Sequence, residues 1–536
     1  MVATLSGIVA APHHLAASIG ADILQRGGNA FDAAVAVSLA IGITQPYHSG
    51  IGGGCNSTFL MATGEAAHVN ARGPAPGQLT RELFLGADGT PNYDLVKAGS
   101  LAITVPSLVA GLTTLHQGRG NLPWAKVCET AIPLAADGFM ADFRLASVYE
   151  RPETKDKVAR YAQESGFATP IREGQWVTQP QLARTLSALA QDPRSLYKGD
   201  IAKNLVAAMQ RNGGVLSLDD LSQYRPEVTT LREGTYRGWR VLAPGLPTIG
   251  SLQTLLALRV LDRLSHEFGL NSVQHQHLVA EVVKATYVER AKAESDETAS
   301  ALVDDIAMER LAASIDLEQA REVSFQDNRT DESCTSHFCV ADAEGNVVSQ
   351  TQTVRSHFGS GIVDSETGVV LNDSVGDFSL RPGEVTTQGI RYAGDYNLLT
   401  PGAEPASSQS PLIAVHPGGD VIAVGAAGGP RIVSATLHAF VNQVAFGLSP
   451  QVAVALPRAH NHGSATYVES EDTLADSLRA LGHEVKTFAP AGITQTLRRR
   501  DGRWEGGADP RGPGGVAVVV EAGSGKKRVR KYGYDY

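Results

Sequence analysis

Thr335 stands in the stretch SCTSHFCVADAEGNVVSQTQT, flanked by Cys334 and Ser336 where a polar run gives way to apolar residues. A threonine hydroxyl is a weak nucleophile, and a threonine inside a chain carries no base of its own. A break between Cys334 and Thr335 would change that, because it leaves an α-amine on the residue that bears the hydroxyl. Such amines titrate at about 7.7–8.0, so a useful fraction is neutral at neutral pH and can take the hydroxyl proton. The chemistry on offer is acyl transfer through a threonine ester. A lone threonine at this place is more often the plain start of a strand, so the surroundings have to decide.

The elements that must hold Thr335 can be read around it. Phe338 to Ala341 reads as a buried strand, Ala343-Glu344-Gly345-Asn346 as a turn, and a second strand begins near Val347. Upstream, SFQDNRTDES from Ser324 to Ser333 is the clearest loop in the chain, and it leaves a self-cleaving junction room to open. NAFDAAVAVSLAIGI is too rich in small residues for a surface helix and is expected to pack closely on a sheet. From about Trp124 to Leu270 the pattern is mostly helical. IAKNLVAAMQRNGG closes on glycine there, and SLDDLSQYRP opens with a Ser-x-x-Asp cap. Beyond Thr335 the chain is strand-rich, as in PLIAVHPGGDVIAVGAA. Helices and paired strands segregate in blocks, which predicts a layered α+β fold and not a doubly wound parallel sheet.

Composition removes several function classes. Lys+Arg number 46 against 56 Asp+Glu, a formal charge of −10, which argues against a general nucleic-acid or anionic-membrane surface. The basic tail GSGKKRVRKYGYDY reads as a solvated terminus or an appended remnant, and it lacks the spacing of a phosphate loop. Cys55, Cys128, Cys334 and Cys339 form no CxxC pair, so neither a disulfide framework nor a zinc site is expected. No stretch approaches the roughly 18 apolar residues of a membrane helix. The opening residues lack a basic start before Arg26, so no secretory signal is read and a cytoplasmic location is expected. HExxH, GxGxxG after a strand and GxSxG are all missing. His275 and His277 would sit two apart on a helix, where side chains do not converge, His460 with His462 reads as a surface feature and not a metal site, and no metal or cofactor is expected.

The stretch TSHFCVADAEGNVVSQTQT resembles the small-subunit start of the gamma-glutamyltranspeptidase family. GGNAFDAAVAVSLAIGITQPYHSGIGGG, ARGPAP, VPSLVAGL, YKGDIAKNLVAAMQRNGGVLSLDDL, FGSGIVDSETGVVLNDSVGDFS, ASSQSPLIAV, GAAGGPRI and GADPRG follow the family in the same order along nearly the whole chain. The resemblance implies an N-terminal-nucleophile hydrolase with a four-layer αββα sandwich. It would be made as one precursor and self-cleaved into a large subunit, 1–334, and a small subunit, 335–536, intertwined in one domain. Thr335 would then be both autocleavage residue and nucleophile, with Thr353 orienting it. Gly428 and Gly429 match the glycines whose N–H groups hold the oxyanion, where a Cβ would obstruct the approach. Arg72 matches the arginine that grips a substrate α-carboxylate. Asp377 matches the carboxylate for the α-ammonium, and Ser407 and Ser408 the serines that complete carboxylate binding.

The pattern departs from the family in the specificity residues. Arg355 stands where asparagine is common, and Ser374 and Gly376 replace Gln/Glu and Asp in NDSVGDF. Arg355 either pairs with Asp377 and removes the ammonium site, or it binds a second anionic group. Ser379 to Pro405 has about the length of the family's lid loop. The leading expectation is a threonine hydrolase/transferase acting through an acyl-enzyme on gamma-glutamyl or related carboxylate-bearing acyl substrates, with water or an amine as acceptor. Three branches of the family are alternatives: cephalosporin-acylase-like enzymes, oxamate-type amidohydrolases, and a branch that hydrolyses a C–C bond to release an oxalyl unit in alkylproline natural-product biosynthesis. A non-catalytic binding homologue is the rival from another class, and retention of Thr335 and the glycine pair argues against it.

Overall fold

A computed structural model describes residues 4–264, 267–323, 334–488, 490–521 and 527–533. The polar loop read at Ser324 to Ser333 lies outside the described residues. Among the described residues fourteen strands build two large sheets. They are β1 (Thr4–Ala11), β2 (Gly54–Leu60), β3 (Ala66–Ala71), β4 (Glu227–Thr229), β5 (Arg232–Tyr236), β6 (Trp239–Ala243) and β7 (Ser336–Asp342). They continue as β8 (Val347–Thr353), β9 (Leu412–Val415), β10 (Val421–Ala427), β11 (Ile493–Arg500), β12 (Arg503–Ala508), β13 (Gly515–Glu521) and β14 (Lys527–Gly533). The first sheet runs β14-β13-β1-β7-β8-β2-β3-β4 and the second β12-β11-β10-β9-β6-β5. Every pairing in both is antiparallel.

Alternation along the strands explains the stacking. Ile8 and Ala10 of β1 join Cys339, Ala341, Ile413, Ala423 and Leu497 in an apolar layer between the sheets. Val9 and Ala11, one residue out of step, face the other way and pack with Phe338 and Val340 under α1 (His14–Gln25) and α2 (Ala30–Thr44). The outer face of the second sheet, with Val241, Leu412, Ile422 and Val424, is covered by α3 (Ile249–Leu264), α4 (Val273–Arg290) and α5 (Arg431–Val444). The result is helix, sheet, sheet, helix: the αββα sandwich. Strands so covered on both faces lose the usual inside–outside contrast, so every residue of β7 and β8 is buried.

The NAFDAAVAVSLAIGI segment is α2, buried along its whole length and closed at its start by a reciprocal Asn29–Asp32 capping box. The helix Asp200–Arg211 ends as read, with the Gly213 and Gly214 amides returning to the Gln210 and Met209 carbonyls. Ser217 and Asp220 form the cap of the next helix. Strand β1 lies between β13 and β7, so segments from both sides of Thr335 share one sheet.

Two expectations need correction. The basic tail is not a free terminus over its described part: Lys527–Gly533 pairs with β13 as the edge strand of the larger sheet, a place where charged side chains are suited. His460 and His462 are buried, not on the surface; His275 and His277, also buried, lie on α4 and turn to different partners, His277 to His483 and His275 to His438 and Phe446. His460 lies in a small sheet formed by Ala459–Asn461, Ala465–Val468 and Glu484–Thr487, and His462 follows its first strand. That sheet packs with α4 and the helix Thr473–Ala480. Among the described residues no helix is long and apolar enough to cross a membrane.

Candidate active site

Thr335 is buried immediately before β7, and Thr353 is the last residue of the neighbouring strand β8, so the hairpin brings the two hydroxyls to 3.4 Å. The Thr335 hydroxyl donates to the Cys334 carbonyl, the one that precedes it in the chain. Thr353 Oγ1 donates to the same oxygen at 2.6 Å and accepts from the Arg355 amide at 2.8 Å. The Cys334 amide donates to the Arg355 carbonyl at 2.7 Å, which fixes the residue before the junction. The Cys334–Thr335 peptide is therefore held with its carbonyl polarised by one hydroxyl and the other in contact. Behind it, His337 bonds Thr351 at 2.8 Å, and burial lowers its imidazole to about 3. That ring is neutral and structural.

Gly428 and Gly429 follow β10 and precede α5, with φ of 125° and 60°. Both values fall in the left-handed region that glycine enters without a Cβ penalty. A side chain on Gly428 would also meet the Gly492 backbone at 3.2 Å. Gly428 lines a cavity of about 50 Å³ together with Thr335, Cys334, His48, Arg144, Arg151, His357 and Arg431. Gly429 does not line it, though it stands at the same turn.

The residues read as a substrate head-group site form a closed cluster. Arg72, directly after β3, donates to Asp377 Oδ2. Arg355 Nε donates to Asp377 Oδ1 at 2.8 Å and its Nη1 to Asp373 at 3.0 Å, while Nη2 reaches the Gly376 carbonyl at 3.2 Å and also Thr387. Gln388 Nε2 adds a bond to Asp377 Oδ1 at 2.8 Å. Of the two sequence options for Arg355, the pairing with Asp377 is the one formed. Thr387, Gln388 and Asn397 belong to the segment read as a lid, and all three bond to this cluster. Arg72 Nε is buried without a hydrogen-bond partner among the described residues.

Ser374, Ser407 and Ser408 are less closely tied to it. The Ser374 amide bonds the Asn372 side chain at 3.0 Å. Ser407 Oγ accepts from the Gln409 amide at 3.2 Å. Ser408 Oγ accepts from Arg290 at 2.9 Å, and Arg290 also holds Gln253 and the Tyr392 hydroxyl. Sequence reading missed Arg290, Arg144, Arg151 and Arg431. Arg431 follows GAAGGP directly, so a signal for it existed; Arg144 lies on the short helix Phe143–Ser147 and Arg151 caps the next one, Pro152–Tyr161, and no motif marks either.

Among the described residues two groups bring metal-type donor atoms within 4.8 Å of one another: His48, Cys334 and His357, and His277, Glu281 and His483. In the second, His277 bonds His483 at 2.7 Å and the Asp316 carbonyl at 2.9 Å, and Lys284 sits 2.5 Å from Glu281. Those contacts make it a buried polar network in which the Lys284 cation faces the Glu281 carboxylate. In the first, burial pushes the Cys334 thiol well above its ordinary range.

With this geometry in view, the chain matches the family model of gamma-glutamyltranspeptidase over residues 16–519. It is 31% identical to the glutathione hydrolase proenzyme of Escherichia coli (strain K12), covering 94% of this chain and 90% of that one. It is 30% identical to the acylase ACY 1 proenzyme of Pseudomonas sp. (strain V22), covering 98% and 95%. The crystal structure of cephalosporin acylase from Bacillus halodurans superposes with a TM-score of 0.83 at 28% identity, covering 96% of each chain.

Proposed function

This chain belongs to the gamma-glutamyltranspeptidase family of hydrolases and transferases, and from that premise we propose that it is a self-processing acylase for carboxylate-bearing acyl groups that lack an α-ammonium. Processing starts when Thr335 Oγ1 attacks the Cys334 carbonyl carbon. The C–N bond breaks, the Thr335 nitrogen takes the hydroxyl proton, and an ester joins Cys334 to the hydroxyl. Water then hydrolyses that ester, leaving a Cys334 carboxylate and a free Thr335 amine. The products are the subunits 1–334 and 335–536. In turnover the amine serves as base for the same hydroxyl, which attacks the substrate carbonyl and forms an acyl-enzyme. Gly428 and Gly429 offer N–H donors to the oxyanion, and Thr353 orients the nucleophile.

The observation that carries the acylase reading is the state of Asp377: both of its oxygens are committed to guanidiniums, one to Arg72 and the other to Arg355. A substrate ammonium would have to displace a buried, charge-assisted bond, while a substrate carboxylate has the orphan Nε of Arg72 to bind. The likeness to acylase proenzymes and to cephalosporin acylase supports the same choice. Processed protein should release p-nitroaniline from glutaryl-p-nitroanilide at least tenfold faster than from gamma-glutamyl-p-nitroanilide, which differs only by the α-amine. Preference for the gamma-glutamyl compound would overturn the reading.

A further inference from the structure

We propose that the cavity beside Thr335 is a second anion site, separate from the Arg72 cluster, built by Arg144, Arg151 and Arg431 to hold a carboxylate. Its lining includes the nucleophile and Gly428 but none of Arg72, Arg355, Asp377, Ser407 or Ser408. At about 50 Å³ it takes a group of a few atoms, since about 10–15 Å³ of such space holds one water.

Charge distinguishes the two places. In the Arg72 cluster two guanidiniums face two carboxylates, Asp373 and Asp377. Among the described residues the cavity lining holds three arginines and no acidic residue, and of the three it is Arg431 that keeps an idle donor. Arg431 is 8% exposed, lies 4.4 Å over the Phe488 ring, and has an Nε with no hydrogen-bond partner among the described residues. Burial also lowers its guanidinium to about 10, the mark of a cation whose lost hydration is not compensated. A buried guanidinium with an idle donor is stabilised by an anion. A divalent cation is the competing occupant, because His48, Cys334 and His357 stand in the same lining. Three permanently charged guanidiniums decide against it.

The carboxylate has two sources. One is an acidic group of a small substrate, which the cavity's size places within a few bonds of the scissile carbonyl. The other is the chain itself: Cys334 lines the cavity, and the self-cleavage proposed above converts its carbonyl into a carboxylate on the spot. Only this second source rests on that reading.

Two measurements on the purified full-length protein separate the sources. In the first, succinate and its neutral analogue succinamide are titrated calorimetrically at fixed ionic strength. An external anion is shown by succinate binding that succinamide lacks and that Arg144→Gln weakens about tenfold. In the second, the large subunit is digested with carboxypeptidase. A captured terminus is shown by a Cys334 that resists release in the native protein and is released at least tenfold faster in Arg144→Gln. Arg431→Gln should act more strongly in either case. If that buried variant does not fold, the half-buried Arg144 carries the result. The site is overturned if neither readout responds to Arg144→Gln, or if succinate binding is lost in Arg72→Gln and kept in Arg144→Gln. Neither readout needs acylase activity, so failure of the anion site and failure of the acylase reading remain distinct.

Discussion

A Cβ built on Gly376 would stand 2.6 Å from Cζ of Arg355 and within 2.9 Å of both terminal nitrogens of that guanidinium. The guanidinium has nowhere to retreat, because Asp373, Asp377, Thr387 and the Gly376 carbonyl hold it. Two of the three departures read in the sequence, Arg355 and Gly376, are thus sterically linked: the guanidinium fills the space that a side chain at position 376 would need. Gly376→Ala should destabilise the protein by about 1–3 kcal/mol, the usual cost of overpacking a fixed core. In an Arg355→Asn background the same substitution should cost much less. Urea midpoints for the four members of this cycle would measure the coupling. A coupling near zero would mean the guanidinium yields freely and the two positions are unrelated.

Arg355 itself has φ of 85°, a region asparagine enters more readily than arginine. Arg355→Asn therefore relieves backbone strain while it removes the partner of Asp373 and Asp377. Asp377 keeps Arg72, and Asp373 keeps the Ser356 amide at 3.0 Å and Lys157 at 4.0 Å, so the fold is expected to survive. What changes is that Asp377 Oδ1 becomes available to a substrate ammonium. Activity on gamma-glutamyl-p-nitroanilide should rise at least tenfold, mainly through KM, and activity on glutaryl-p-nitroanilide should fall. No change with either anilide would sink the idea that Arg355 sets specificity.

The chemistry of the junction was easier to read from sequence than its surroundings. Thr335, Thr353, Arg72, Asp377 and the glycine pair sit in short motifs, and the order of those motifs carried the fold with them. Arg355 is legible as a departure, but whether it pairs with Asp377 or faces another anion depends on where the fold brings Asp373 and Asp377, some twenty residues further along the chain. Ser407 and Ser408 were matched by position alone, and the structure gives Ser408 to Arg290, a residue on α4 more than a hundred positions earlier. His460 and His462 are buried against the sequence reading because local spacing does not reveal the small packed sheet they belong to or adjoin. Arg144 and Arg151 reach the cavity from one stretch of the chain and Arg431 from another almost three hundred residues later, and only Arg431 adjoins a motif legible in the sequence.

Glu404 gives the stability curve a defined slope. Burial pushes its carboxyl up to about 7, against a hydrogen bond from Asn70 at 2.7 Å that favours the charged form. A folded-state value above the unfolded one means folding favours the protonated acid. The resulting stabilisation is complete below about 4.5 and is lost as pH rises through about 7. The loss across that window is about 3 kcal/mol. Glu404→Gln should remove this contribution to the slope, leaving the variant relatively more stable at pH 8 than at pH 5 when each is compared with the parent by urea unfolding. An unchanged difference between pH 5 and pH 8 would show that Glu404 ionises normally in the fold.

Self-cleavage is the prediction on which the catalytic reading stands. The Cys334 carbonyl receives hydrogen bonds from both Thr335 and Thr353, so one hydroxyl is poised to attack while the other stabilises the charge that develops on the oxygen. Thr335→Ala should leave a single uncut chain, and Thr335→Ser should still be cut, since the hydroxyl is retained. Thr353→Val keeps the shape of the side chain but loses the donor, and should slow cutting on the order of 100-fold, the usual effect of deleting one oxyanion donor. Intact mass under denaturing conditions, followed over time after synthesis, reads all three. Fragments meeting at Cys334 and Thr335 in the parent, with this ranking among the variants, fit the geometry. If Thr353→Val were cut as fast as the parent, its 2.6 Å contact with the Cys334 oxygen would be structural, and the oxyanion of self-cleavage would have to be held by another donor.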